Sequence, residues 1–164
     1  MDLKNTHDSI LTEDIIVEYV LDRFENFKKE PTKNKLVTFH TNNKFLLMCH
    51  SQEKLQTLGN VVANHRKKSF SEIINEYEKH LKDALSNPPT TKKHINTLIH
   101  VLSHFSKEVS PQQKESFVNF LEQFKEGKIT IGATLLKIEP LIHEYNNTYL
   151  LGQTYFSLYT EKRP

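Results

Sequence analysis

Three features of the sequence predict an all-α protein, a single compact bundle of about seven to eight helices. Turn chemistry is scarce, with 4 glycines and 6 prolines in 164 residues, too little for the tight turns of a many-stranded β fold. Apolar residues recur at three- and four-residue intervals along most of the chain, the period of helices that pack by one face. Polar capping residues and helix breakers punctuate those stretches. The length suits one core, since a chain of about 150 residues buries about two-thirds of its unfolded surface. Residues 13–160 are therefore assigned to one domain, with residues 1–12 as an N-terminal arm and 161–164 as a C-terminal tail.

The first helix starts at Thr12-Glu-Asp-Ile and carries Ile16, Val20, Phe24 and Phe27 on one face. Its acidic start and Lys28-Lys29 end complement the helix dipole. Pro31 turns the chain into a second helix, expected to run from about Lys33 to Ser51. On its wheel Leu36, Val37, Phe39, Leu46, Leu47 and Met48 form a broad apolar arc, and Lys35, Thr38, Asn42 and Cys49 take the solvent side. Leu55, Leu58, Val62 and His65 make a third stripe. Gly59 lies within it, at a cost of about 1 kcal/mol relative to Ala, and is read as a point of close helix approach.

Ser69-Phe-Ser-Glu72 is a capping box for a fourth helix with Phe70, Ile73, Ile74, Tyr77, Leu81 and Leu85 in register, stopped by Asn87-Pro-Pro-Thr. Thr91 opens a fifth, whose core stripe is Leu98, Val101, Leu102 and Phe105. Ser110-Pro111-Gln-Gln113 starts a sixth, with Phe117, Phe120, Leu121 and Phe124 inward and Gly127 just past its end. Ile131, Leu135, Ile138, Ile142 and Tyr145 keep helical spacing, but Pro140 removes an N–H and crowds the Leu136 carbonyl, so a kink or break is expected there. The aromatic stretch from Thr148 to Tyr159 is expected to dock as a final short helix.

Several function classes are excluded by what the chain lacks. Its longest uninterrupted apolar run, Phe45 to Cys49, is far short of the roughly 20 residues that span a bilayer, so no membrane association is expected. The polar start MDLKNTHDS has no apolar signal core, which makes the cytoplasm the expected compartment. One cysteine, Cys49, cannot form an internal disulfide, an all-cysteine zinc site or a cluster held by several thiolates of this chain. No glycine-rich phosphate loop, nucleophile elbow or paired-carboxylate motif is present. The formal net charge is +2 with only three arginines, although residues 61–110 carry eight Lys/Arg against five Asp/Glu.

The residues that stand out are polar groups where packing is expected. His40 and Lys44 fall inside the apolar arc of the second helix, and an unpaired charge there is costly unless it is bonded or faces a cleft. His94 lies beside the core stripe of the fifth helix, with Asn96 and His100 on its other side. For His40, His50 and His94 a core histidine donating to a carbonyl fits equally well, and Lys44 can run its stem to water. His100 and His104 have the i, i+4 spacing of metal ligands, but no glutamate follows His100 and no third ligand is evident; no metal and no cofactor is expected. Cys49 and His50 are adjacent and point about 100° apart, which does not make a thiolate–imidazole pair. The basic segments Lys33 and Lys35, Arg66, Lys67 and Lys68, and Lys92 and Lys93 fall near helix ends. Gathered at one rim they would form a phosphate-binding patch; dispersed, they are ordinary solvated cations.

The pattern Phe39-His40-x-x-x-Lys44-x-x-x-Met48-x-His50, then Leu58-Gly59 and Val62-Ala63, resembles the YbgA-type domain of bacteria. The likeness continues through His94-x-Asn96-x-Leu98-x-His100, Phe105, Phe124-x-x-Gly127 and Tyr149-Leu150-x-x-Gln153-x-Tyr155, and covers residues 14–158. Where the family tends to read Gly-Tyr-Phe, this chain has Ser103-His104-Phe105. The family domain occurs alone or fused to a thiouracil-desulfidase domain. The resemblance thus implies an accessory role in binding tRNA whose thiolated uridine loses its sulfur, the catalytic cysteines belonging to the other domain. The family-like positions are His40, Lys44, His50, His94, Asn96, His100 and Gln153.

Three functions are open at this point. The first is a non-catalytic RNA-binding or accessory module whose partner is tRNA or a tRNA-modifying protein. The second is a small cofactor-independent enzyme with His40 or His100 as base and Lys44 as electrostatic group. The third is a protein-interaction module, favoured by an exposed aromatic patch.

Overall fold

A computed structural model describes residues 11–145 and 147–161. The first ten residues of the expected arm and residues 162–164 of the expected tail lie outside them. The described residues form ten helices and no strand: α1 Glu13–Lys29, α2 Lys33–Asn42, α3 Lys44–His50, α4 Gln52–Ala63, α5 Phe70–Leu85, α6 Thr91–Ser103, α7 Pro111–Lys125, α8 Ile131–Glu144, α9 Thr148–Leu151 and α10 Thr154–Tyr159. Eight have seven or more residues, and the expected final short helix is two, of four and six residues.

The starts are set by side-chain caps. Thr12, Thr32, Ser51, Ser69, Thr90, Ser110, Thr130 and Asn147 each accept a backbone N–H from the first turn of the helix they precede. At Ser110 the bond is reciprocal, because Gln113 reaches back to the Ser110 N–H. Gly127 follows α7 with φ of 77°, the left-handed geometry expected of it.

Two expectations about helix continuity are corrected. The second helix is not continuous: it breaks at Asn43, where φ and ψ are −104° and 7°. Val37, placed on the apolar arc, is exposed, and Cys49, placed on the solvent side, is fully buried, because the break resets the phase between the two halves. In the other case it is the break that does not occur, since α8 runs through Pro140 without ending. Pro140 is exposed, so the Leu136 carbonyl that loses its donor lies on the helix face turned from the core.

After the break every residue from Phe45 to His50 is buried, as befits a helix that is apolar nearly all round. This short α3 is the axis of the bundle, touching α2, α4, α5, α6 and α10. Helices α4 and α5 pack as an antiparallel pair, and α6, α7 and α8 follow one another in sequence around the other side. Lys28 of α1 reaches Glu78 of α5 at 2.5 Å, closing the ring.

Candidate functional site

The break at Asn43 is held by two amide side chains. Asn43 donates its own N–H and its Nδ2 to the Phe39 carbonyl, at 3.1 and 2.8 Å. Gln153, fully buried just before α10, accepts from the Phe45 N–H at 3.2 Å and donates to the Thr41 carbonyl at 2.7 Å. It thereby satisfies one donor and one acceptor that the interrupted helix leaves over. Gln153 is a family-like position, and its task here is to clamp α2 to α3.

His40 and Lys44 consequently sit on different helices. Half-buried His40 shares a hydrogen bond of 2.9 Å between its Nδ1 and the hydroxyl of Tyr77 on α5, with the rings edge to face. Its Nε2 lies over Gly59 of α4, where an added Cβ would stand 3.6 Å away, an ordinary contact. The close approach expected at Gly59 is therefore looser than a glycine demands. Burial, and then the charge of Lys44, push the imidazole below its usual range, so it is neutral at pH 7. Burial raises the Tyr77 hydroxyl well above the tyrosine range and keeps it protonated. Lys44 opens α3 with its ammonium 5.8 Å from the Phe45 ring centre.

Two further histidines lie in the core. The Nδ1–H of His50 donates to the Leu46 carbonyl at 2.9 Å, which leaves Nε2 as the unprotonated nitrogen of a neutral ring. Among the described residues that nitrogen has no hydrogen-bond partner; a carboxylate oxygen of Glu13 is 3.8 Å away. Glu13 itself accepts from the Tyr159 hydroxyl at 2.7 Å. His94 pairs its Nδ1 with the Tyr155 hydroxyl at 2.8 Å, and burial followed by the neighbouring His50 brings its pKa down to about 4. Cys49 Sγ donates to the same Leu46 carbonyl at 3.0 Å. It lies 3.6 Å from His50 Nδ1, but the proton there is already committed to Leu46. Burial pushes the thiol far above its usual range, so it does not act as a nucleophile at neutral pH.

On α6, Asn96 donates to Gln52 of α4 at 2.8 Å on the surface. His104 packs against Tyr149 and Phe45, with ring centres 5.0 and 5.5 Å away, and is lowered by burial, then by Lys44 and by His100. The charge of Lys44 thus acts on His40 on one side and on His104 on the other. No side-chain hydrogen bond joins any two of His40, Lys44, His50, His94, Asn96, His100 and Gln153 among the described residues. The expected single seam resolves into separate contacts. Their partners Tyr77, Tyr155 and Tyr159 were not read from the sequence as site residues, although Tyr77 stood in the α5 stripe and Tyr155 in the family-like pattern. The available signal was a tyrosine in the α5 stripe and two more spaced i, i+4 in the aromatic tail.

The basic segments divide as well. Arg66, Lys67 and Lys68 form the α4–α5 connection, in which Asn64 and Lys67 take positive φ of 50° and 53°. Asn64 braces it, accepting from the Lys68 N–H at 2.9 Å and donating to the Lys68 carbonyl at 3.1 Å. Lys68 pairs with Glu76. A cavity of about 380 Å³ opens here, lined among others by Asn60, Asn64, Arg66, Lys68 and His80. The Nδ1 of His80 is buried without a partner among the described residues. A second cavity of about 280 Å³ shares Asn64 and Lys68 and adds Lys33. Lys35 instead bonds the Glu30 carbonyl at 3.1 Å. Lys92 and Lys93 lie beyond the far end of α5, whose 16 residues span about 24 Å. Lys93 is engaged with the carbonyls of His50 and Pro88, at 3.0 and 3.3 Å. One continuous rim is therefore not formed.

A family model described as a protein of unknown function (DUF1722) matches residues 44–160, from the first residue of α3 to the residue after α10. An uncharacterized protein, YbgA of Escherichia coli strain K12, is 26% identical over 129 residues, 78% of this chain and 76% of that one. No solved structure matches the chain.

Proposed function

The chain belongs to the family of proteins of unknown function designated DUF1722, and from that premise we propose that it is a non-catalytic RNA-binding module, acting on tRNA or with a tRNA-modifying partner. The observation that supports this reading is the cationic connection between α4 and α5. Arg66 and Lys67 are exposed and make no ion pair among the described residues, and Lys33 and Lys68 stand beside them around two adjoining cavities. Guanidinium and ammonium groups so arranged suit a phosphate backbone. The partnerless nitrogen of His80 and the Asn60 amide offer hydrogen bonds to a sugar or base edge. The likeness to domains fused to thiouracil desulfidases extends the reading: this chain would present thiolated tRNA to a separate catalytic protein, its own single thiol being buried.

An acid–base enzyme built on His40 or His100 with Lys44 has less support, because neither of the two cavities described above is lined by those residues. An interaction module resting on aromatics also has less, because among the described residues the exposed large apolar side chains are Val37, Ile99, Val118 and Leu151.

The test is tRNA binding measured by fluorescence anisotropy across a salt series. Four phosphate contacts give a log–log slope of about −3. Arg66→Ala/Lys67→Ala should weaken binding at least tenfold and flatten the slope by about 2. Binding indifferent to salt, absent at micromolar protein in low salt, or unchanged in the Arg66→Ala/Lys67→Ala protein would sink the proposal.

A further inference from the structure

The cavity of about 380 Å³ at the α4–α5 connection has in its wall one group that a phosphate would avoid, the carboxylate of Glu76. Lys68 bonds it through Oε1, and among the described residues Oε2 has no hydrogen-bond partner. The Lys68 bond first, and after it the charges of His80 and Arg66, hold the carboxyl below its usual range. Glu76 is therefore ionised and can only accept hydrogen bonds, with about four lone-pair positions of which Lys68 takes one. Phosphate contacts alone explain neither this acceptor nor an enclosed volume.

The other walls supply flat surfaces and an unmet hydrogen bond. Arg66 and His65 are exposed, and their guanidinium and imidazole are planar groups of the kind on which an unstacked base lies. Val61, half-buried, adds an apolar strip. The Nδ1 of His80 is buried without a partner among the described residues, and a buried polar atom left unmet is costly. Asn64 and Thr57 are not available in the same way, since their side chains are committed to the Lys68 backbone and the Glu53 carbonyl.

We infer that this cavity receives the base of an unpaired guanine nucleotide. The inference rests on the RNA reading above and names the nucleotide that the same site takes. Guanine alone among the four bases carries two adjacent donors on one edge, N1–H and the N2 amino group, and the Glu76 carboxylate is the acceptor for them. Its O6 and N7 are acceptors, matched by the Asn60 amide and an N–H of His80, while the nucleotide's phosphate goes to Lys67 and Lys68. Adenine would turn the lone pair of its N1 toward the carboxylate, and cytosine and uracil offer a single donor there. The volume falls in the range of small-molecule sites, and a base held in a duplex cannot enter it.

The probes are the monophosphates GMP, AMP, CMP and UMP, titrated at constant ionic strength into the isotopically labelled full chain and followed by NMR. GMP should bind about tenfold more tightly than the other three, with saturable shifts at Asn60, Glu76 and His80. Inosine monophosphate, which keeps N1–H and lacks the 2-amino group, should fall between. Glu76→Gln should bring GMP down to the level of UMP without weakening UMP, because Lys68 is then released to the phosphate. A short RNA single strand with one central guanosine should bind more tightly than the same strand with adenosine, by a similar factor. Equal affinity for the four nucleotides in a protein that binds tRNA with the expected salt slope would overturn the guanine site and leave the RNA reading standing. A guanine preference that survives Glu76→Gln, or shifts confined to other parts of the molecule, would overturn it as well. A preference for GMP with no binding of tRNA or of either strand would uphold the guanine site, with the free nucleotide as its ligand, and sink the RNA reading instead.

Discussion

The hydroxyl of Tyr77 stands 2.9 Å from Nδ1 of His40, joining α5 to α2 across the bundle. Tyr77 is fully buried and also packs on Phe24 and Phe39, so the hydroxyl is the polar tip of an otherwise apolar cluster. Tyr77→Phe keeps that packing and removes the hydrogen bond, leaving a half-buried nitrogen without a partner. A loss of about 1–2 kcal/mol is expected in urea unfolding. The double variant with His40→Ala should lose less than the sum of the singles, by about 1 kcal/mol, because both remove the same bond. Strict additivity would mean that His40 does not lock these helices and would return it to the candidates for ligand contact.

The buried histidines make stability depend on pH with a definite sign. His40, His50 and His94 are all lowered by burial from the ordinary value of 6.5, His94 to about 4. The unfolded chain therefore takes up protons first as the pH falls. Their contribution is complete above pH 6.5 and declines between 6.5 and about 4, with His94 alone worth up to about 3 kcal/mol over that window. Glu13 opposes them, since burial raises its carboxyl and protonation then favours the fold. The urea midpoint should fall from pH 7 to pH 4.5, and His94→Gln should flatten the decline while lowering stability at pH 7. A midpoint that rises on acidification would place these imidazoles in water.

Gln153 carries the next prediction. Its amide closes the break between α2 and α3 from more than a hundred residues away, and both of its bonds are to backbone groups. Gln153→Ala orphans the Phe45 N–H and the Thr41 carbonyl and leaves a cavity, for an expected loss of about 3 kcal/mol. Asn96→Ala, which removes an exposed bond to Gln52, should cost under about 1 kcal/mol. Equal losses at the two positions would show that burial does not distinguish them.

What the sequence disclosed follows from the reach of each signal. Caps and stripes act within a few residues, so Ser110 and Gln113 announced α7 and the α5 stripe was legible apart from the small buried Ala84. The break at Asn43 depends on Gln153, and nothing between Lys33 and Ser51 advertises a clamp that distant. A wheel drawn through the break then misplaced Val37 and Cys49. His40 and Lys44 were recognisable as anomalies, but their resolution was not, because Tyr77 reads as one more core aromatic. The basic segments were visible as charges; their division between the two ends of α5 is a fact of topology.

The two helical glycines beside these elements should respond oppositely to alanine. At Gly132 an added Cβ would lie 3.0 Å from the Tyr159 carbonyl oxygen and 3.1 Å from the Glu161 N–H nitrogen, both backbone atoms that move only with the chain. The Gly132 carbonyl also accepts from that Glu161 N–H at 3.1 Å, so the close approach is what seats the end of α10 on α8. Gly132→Ala should cost about 1–3 kcal/mol, with the disturbance seen as faster amide exchange in α10. At Gly59 the Cβ would meet only the His40 ring at 3.6 Å, and the gain in helix propensity, up to about 1 kcal/mol, should outweigh it. A Gly59→Ala protein less stable than wild type would mean that His40 sits tighter on α4 than this distance implies.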